Sequence, residues 1–197
     1  MNVRRDSRSE ERLICNRKKN VDVFLLPSGK QFRAVAEMQD GVHHMRISMI
    51  VNQPSLRITA IECEMPGVPD PVCSKARNCL QAMIGKRVLP GLARELKNEA
   101  HQSCTHLLNL FHEACYNLTL AQSIFGKEEL NTLFPNITEE QVFNIFLWFR
   151  PELEGSCVRY AANSPFMQKV SAVPMPPGAE KLKAVAQKKP RDRKLAN

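Results

Sequence analysis

The sequence predicts an α+β fold: an antiparallel three- or four-stranded meander with helices packed on one face. Three observations carry this expectation. Over residues 21–65, short runs of β-favouring residues are separated by tight-turn signals, and one of them alternates between apolar and polar, as a half-buried strand does. The segment Pro66-Gly-Val-Pro-Asp-Pro71 then breaks the pattern. Beyond it, apolar residues recur at spacings of three and four, the signature of helices with one buried face. Strands first and helices second place the helices on one side of a single sheet.

Each element follows in order. Val21–Leu26 and Gln31–Met38 flank Pro27-Ser-Gly29, a strand, a turn and a strand. Asp40-Gly41 signals a second turn. In His43–Val51, Met45, Ile47, Met49 and Val51 alternate with Arg46 and Ser48, and Leu56–Met65 follows Asn52-Gln-Pro54 as a fourth strand. Turns this short join antiparallel neighbours. Asp70 then caps a helix with Pro71 at its first position. Val72, Ala76, Cys79, Leu80, Met83 and Ile84 share one face of it, and Gly85 ends it. A short segment at Leu92–Leu96 precedes a long helix over Cys104–Ile124, capped by Ser103, with Leu107, Leu108, Phe111, Ala114, Cys115 and Leu118 on one side. Another helix starts at Thr138, where Gln141 completes a capping box, and runs through Phe149. The chain thus reads as a basic tail (1–20), an α+β core (21–126), a helical extension (127–170) and a basic Pro/Lys-rich tail (171–197).

Charge narrows the function classes. The net charge of +8 comes from the ends: residues 1–20 hold seven Lys/Arg against three Asp/Glu, and residues 178–197 hold seven against two. The span 21–177 has fourteen basic and fifteen acidic residues and is near neutral. Basic ends can hold a polyanion, but no helix-turn-helix, zinc-finger or RNA-reading motif accompanies them, so specific nucleic-acid recognition is not expected. No run reaches the roughly 18–20 apolar residues of a membrane span, and no signal-peptide pattern opens the chain. Seven cysteines, an odd number scattered through the predicted elements, point to reduced thiols in a cytoplasmic protein instead of a disulfide scaffold.

One constellation can carry chemistry. His43-His44 open a strand after a turn, Cys73 sits in the first turn of its helix, and Cys104 and His106 sit in the first turn of the long helix. A helix start favours thiolate, and thiolate with neutral imidazole is the donor set of zinc or iron. His44, Cys73, Cys104 and His106 therefore form a candidate four-ligand set. On an ideal helix, Cys104 and His106 lie about 200° apart, so both face one ion only if the first turn is irregular. The same residues admit a thiol-dependent enzyme, with Cys104 as nucleophile and His44 or His106 as base. Cys63, Cys79 and Cys115 are expected as core residues, and His101 and His112 at the surface or in caps.

His43-His-Met-Arg-Ile-Ser-Met49, Ile61-Glu-Cys-Glu-Met-Pro-Gly-Val-Pro69 with Cys73, Ile84-Gly-Lys-Arg87 and Ser103-Cys-Thr-His-Leu-Leu108 together resemble the bacterial DUF2889 family over roughly residues 12–120. The chain departs from the family pattern at Ser103, where glycine is usual, and at Ser74, where proline often follows the first cysteine. The order of elements is also distantly similar to the U-type scaffold proteins of iron–sulfur assembly. That likeness implies ligands at His44, Cys73 and Cys104 and an accessory or carrier role beside another protein. The acidic residue those scaffolds place beside their first cysteine has no clear counterpart here.

Overall fold

The computed structural model describes residues 12–89, 92 and 104–188. The chain divides into two compact units, Met1–Gln122 and Ser123–Asn197.

The first unit is built on four strands: β1 (Lys18–Leu25), β2 (Gln31–Gln39), β3 (His44–Asn52) and β4 (Arg57–Gly67). They pair antiparallel in the order β1-β2-β3-β4, the predicted meander. Register aligns Val21 with Ala36, Ala36 with Ile47 and Ile47 with Cys63. That row and its neighbours Ala34, Met38, Met45, Met49 and Val51 are buried, apart from half-buried Val21 on the edge strand. The opposite row is polar, with Arg46 between Glu37 and Glu64 in register, so opposite charges stand across neighbouring strands. β1 begins at Lys18, three residues before the expected start. Lys18, Lys19 and Asn20 are exposed edge residues, and an edge needs no apolar alternation to pair.

The helix expected after Pro71 is instead two short 3-10 helices, Pro71–Asn78 and Gln81–Met83. Its start is as read: the Asp70 carboxylate accepts the Val72 N–H at 2.8 Å. Gly85 stands at φ +86°, the left-handed conformation of a stop signal. A 3-10 helix has three residues per turn, so a face drawn at 3.6 does not persist. Leu80 and Met83, three apart, are buried, while Val72 and Ile84 are exposed. Hydrogen bonds from the Ile58 N–H to the Lys86 carbonyl and from the Gly85 N–H to the Ile58 carbonyl seal this segment along the free edge of β4.

Helix α1 (Thr105–Leu133) starts one residue later than expected and runs nine further. Leu107, Leu110, Phe111, Ala114 and Leu118 are fully buried. Lys19, in register with Met38 of the inner row, lies 3.7 Å from Glu113 of α1, on the apolar side of the sheet. The Ser103 cap and most of the Leu92–Leu96 segment lie outside the described residues.

The second unit holds α2 (Glu139–Phe149), α3 (Pro165–Ala172) and α4 (Glu180–Lys188). The Thr138/Gln141 capping box is present in both directions. Buried clusters form around Leu130, Val142, Ile145 and Ala179, and around Phe143, Met167 and Val170. Among the described residues no helix is long and apolar enough to cross a membrane.

Candidate thiol–imidazole site

The site grows from the turn between β2 and β3. Asp40 has a short acceptor side chain that can fold back on its own backbone, and its Oδ1 accepts the N–H groups of Val42 (2.8 Å) and His43 (2.7 Å). Just before β1, Arg17 donates Nε (2.9 Å) and Nη2 (2.7 Å) to Asp40 Oδ2. His43 Nδ1 lies 3.2 Å from Oδ1. The Asp40 side chain is only 6% exposed. The His43 and Val42 amides, reinforced by Arg17, hold its carboxyl well below the ordinary carboxylate range despite that burial.

This network reaches α1 through two contacts. The His43 ring stacks on His106 with centroids 4.2 Å apart and a tilt of 38°. Arg17 Nη2 stands 3.4 Å from His106 Nε2. On the other side of the ring, His106 Nδ1 lies 4.0 Å from Cys104 Sγ. Burial lowers the His106 pKa, and His43, Arg17 and Lys19 add to the lowering while Asp40 opposes it, so the imidazole is neutral at pH 7. Arginine can only donate. The nitrogen facing it must therefore be the acceptor, which puts the imidazole proton on Nδ1, toward the sulfur.

The angular conflict between Cys104 and His106 disappears because Cys104 is not in the helix. α1 begins at Thr105, and the Cys104 carbonyl accepts the Leu108 N–H at 3.0 Å. Cys104 is thus a capping residue, free of the helical angle that would turn it away from His106.

Of the four expected ligands, Cys104 and His106 come together. His44 belongs to the polar row of the sheet, with its Nε2 2.7 Å from Glu37 Oε1; its neighbour His43 is the histidine that joins the site. Cys73 is half-buried in the first turn of the Pro71–Asn78 helix, its N–H donated to the Asp70 carbonyl at 3.0 Å. Among the described residues, no group of three or more His, Cys, Asp and Glu is disposed to hold a metal ion, whereas a closed structural zinc site takes four ligands.

Sequence reasoning missed Arg17 and Asp40 as parts of the site. Arg17 reads as tail charge and Asp40 as a turn former. The useful signal was the acid itself, since an Asp-Gly turn directly before a histidine pair sets a carboxylate beside imidazole. Cys79 is half-buried at the C-terminal end of the Pro71–Asn78 helix. Burial pushes its thiol up, a hydrogen bond from the Cys104 backbone pulls it down, and the nearby Cys104 side chain adds to the rise. Cys63 and Cys115 are core residues, as expected, and burial pushes both thiols up to about 12.

No curated protein and no solved structure matches the chain. Residues 19–117, half of the chain, match the family model described as Protein of unknown function (DUF2889), and the chain belongs to that family.

Proposed function

We propose that this protein works by thiol chemistry at Cys104, with His106 as the group that holds and polarises the sulfur. The carrying observation is the 4.0 Å approach of His106 Nδ1 to Cys104 Sγ, with the opposite ring nitrogen facing Arg17. A neutral imidazole with its proton on Nδ1 donates toward a sulfur that gathers negative charge, and Arg17, Asp40 and His43 keep the ring from turning away. A sulfur so placed attacks an electrophilic carbon or sulfur of a small molecule or partner protein. All seven cysteines are free, which suits a reducing compartment such as a bacterial cytoplasm.

The 4.0 Å separation also favours a second reading, in which Cys104 and His106 are two ligands of zinc or iron in an accessory or carrier protein. The likeness in element order to the U-type scaffolds supports it. That reading needs the Nδ1 lone pair, so the ring must adopt the tautomer that Arg17 opposes, and it needs further ligands brought in from Cys73 or elsewhere.

One preparation tests both. Purified anaerobically and treated with limiting iodoacetamide, the protein is expected to alkylate at Cys104 about tenfold faster than at exposed Cys15 and Cys157. His106→Ala should remove most of that advantage. Cys104 reacting no faster than the two exposed cysteines would sink the thiol proposal. Near-stoichiometric zinc or iron that disappears in Cys104→Ala would move the pair to the metal reading.

A further inference from the structure

Helix α1 carries apolar residues on two sides. Phe111 and Leu118 are fully buried, whereas Tyr116, Leu120 and Ile124 are 67%, 50% and 54% exposed. At intervals of four residues these three fall within about 80° of one another around the helix axis, so they form one row on its outward face. Single exposed apolar residues are ordinary, but a contiguous row of three large ones is the kind of surface that takes a partner. A charge stands one turn beyond each end of the row: Glu113, half-buried, before Tyr116, and Lys127, exposed, after Ile124. Both lie within about 20° of Leu120 around the axis.

We propose that this face is a homodimer interface, in which α1 packs antiparallel on α1 of a second copy about a two-fold axis at Leu120. The order of the charges identifies the occupant. A two-fold interface is isologous, so that residue i meets j while j meets i. With the axis at Leu120, a residue a given number of positions before it meets the one the same number after it in the second copy. Leu120 then meets its own counterpart, Tyr116 meets Ile124, and Glu113 meets Lys127, the last two pairs each formed twice. Opposite charges thus bracket the apolar row at both ends. A parallel pair would set Glu113 against Glu113 and Lys127 against Lys127, which like-charge repulsion disfavours. The order of charges therefore selects the direction as well as the partner.

Glu113 already lies 3.7 Å from Lys19, and a carboxylate with two oxygens can serve both cations. With only three apolar residues per copy in the row, the pair is a small interface that forms and dissociates with concentration. It owes nothing to the chemistry at Cys104. At about 1.5 Å per residue, Cys104 lies roughly 24 Å along α1 from the two-fold axis, so the two sulfurs of a dimer stand on the order of 48 Å apart. Each thiol site works alone.

The test is sedimentation velocity of the full reduced chain over about 1–200 μM, the range in which a small interface assembles, with circular dichroism of each variant. Wild type is expected to pass from monomer to dimer across that range. Leu120→Lys sets two ammonium groups against each other at the axis and should stay monomeric, with the Cys104 alkylation rate of wild type. Glu113→Lys and Lys127→Glu each bring like charges face to face and should raise the dimer Kd at least about tenfold. The double variant restores opposite charges and should return Kd to within about threefold of wild type. That rescue decides even if Leu120→Lys folds poorly. A wild-type chain that is monomeric at the top of the range, a dimer that survives Leu120→Lys, or a double variant no tighter than the single ones overturns the proposal.

Discussion

At the residue scale, Asp40 organises the site. One buried carboxylate takes two backbone amides of its own turn, two N–H groups of Arg17 and one edge of His43. Donors of this number and charge favour the ionised form, so the native state binds the Asp40 proton more weakly than the unfolded chain does, whose carboxyl titrates near 3.8. A depressed folded value means stability that is fully present above 3.8 and is lost as pH falls through the folded value. Asp40→Asn keeps the shape of the turn and removes that charge. Wild type should therefore lose more stability than Asp40→Asn between about pH 5 and pH 2, read as the midpoint of urea unfolding against pH. Parallel curves would mean that the acid sensitivity lies elsewhere. The substitution also leaves Arg17 without its counter-ion, freeing it to shift from His106, so the Cys104 alkylation rate should fall with it.

At the scale of elements, the site depends on how closely β3 and β4 approach at their shared end. His44 pairs with Gly67 across a register irregularity. A Cβ at Gly67 would stand 2.8 Å from the His44 nitrogen and 3.0 Å from its Cβ, closer than backbone atoms tolerate. Gly67→Ala is expected to cost about 1–3 kcal/mol, the range of an overpacked contact, in thermal unfolding. It also displaces the start of β3 and with it His43, so Cys104 alkylation should slow even in the folded variant. An unchanged rate would separate His43 from the reactivity of the sulfur. This close approach was not legible in the sequence, where Gly67 reads only as part of a Pro/Gly break. The strands were legible because alternation is a property of each strand alone: Met45 to Val51 announce their own face. The helix after Pro71 was legible at its ends, Asp70 and Gly85, but not in its pitch, since the same residues fit three or 3.6 per turn until packing selects Leu80 and Met83. The site was half legible. Cys104 and His106 are neighbours in sequence, whereas Arg17, Asp40 and His43 reach them by folding.

At the scale of the whole molecule, the fold redistributes the charge that the sequence assigns to its ends. Of the seven basic residues in 1–20, Lys18 and Lys19 are in β1, and Arg17 is spent on Asp40. Lys19 lies 3.7 Å from Glu113. Residues 1–11 contribute three basic and three acidic side chains, which cancel. At the other end, the Lys183 ammonium sits 5.7 Å from the centroid of the Trp148 ring. By composition, the densest excess of positive charge is residues 188–194, with five basic residues and one acidic. If a polyanion is a partner of this protein, that run is where it is held, because counter-ion release scales with the number of phosphates neutralised. Removing residues 188–197 should lower the slope of log Kd against log salt for duplex DNA by up to about four, at about 0.9 per phosphate contact. Fluorescence anisotropy across a salt series measures it. The Cys104 alkylation rate, set by residues between Arg17 and His106, should not move. A slope that survives the truncation would place the anion on the folded surface instead, and the cations to examine first would be Lys18 and Lys30, exposed residues in β1 and the turn that follows it.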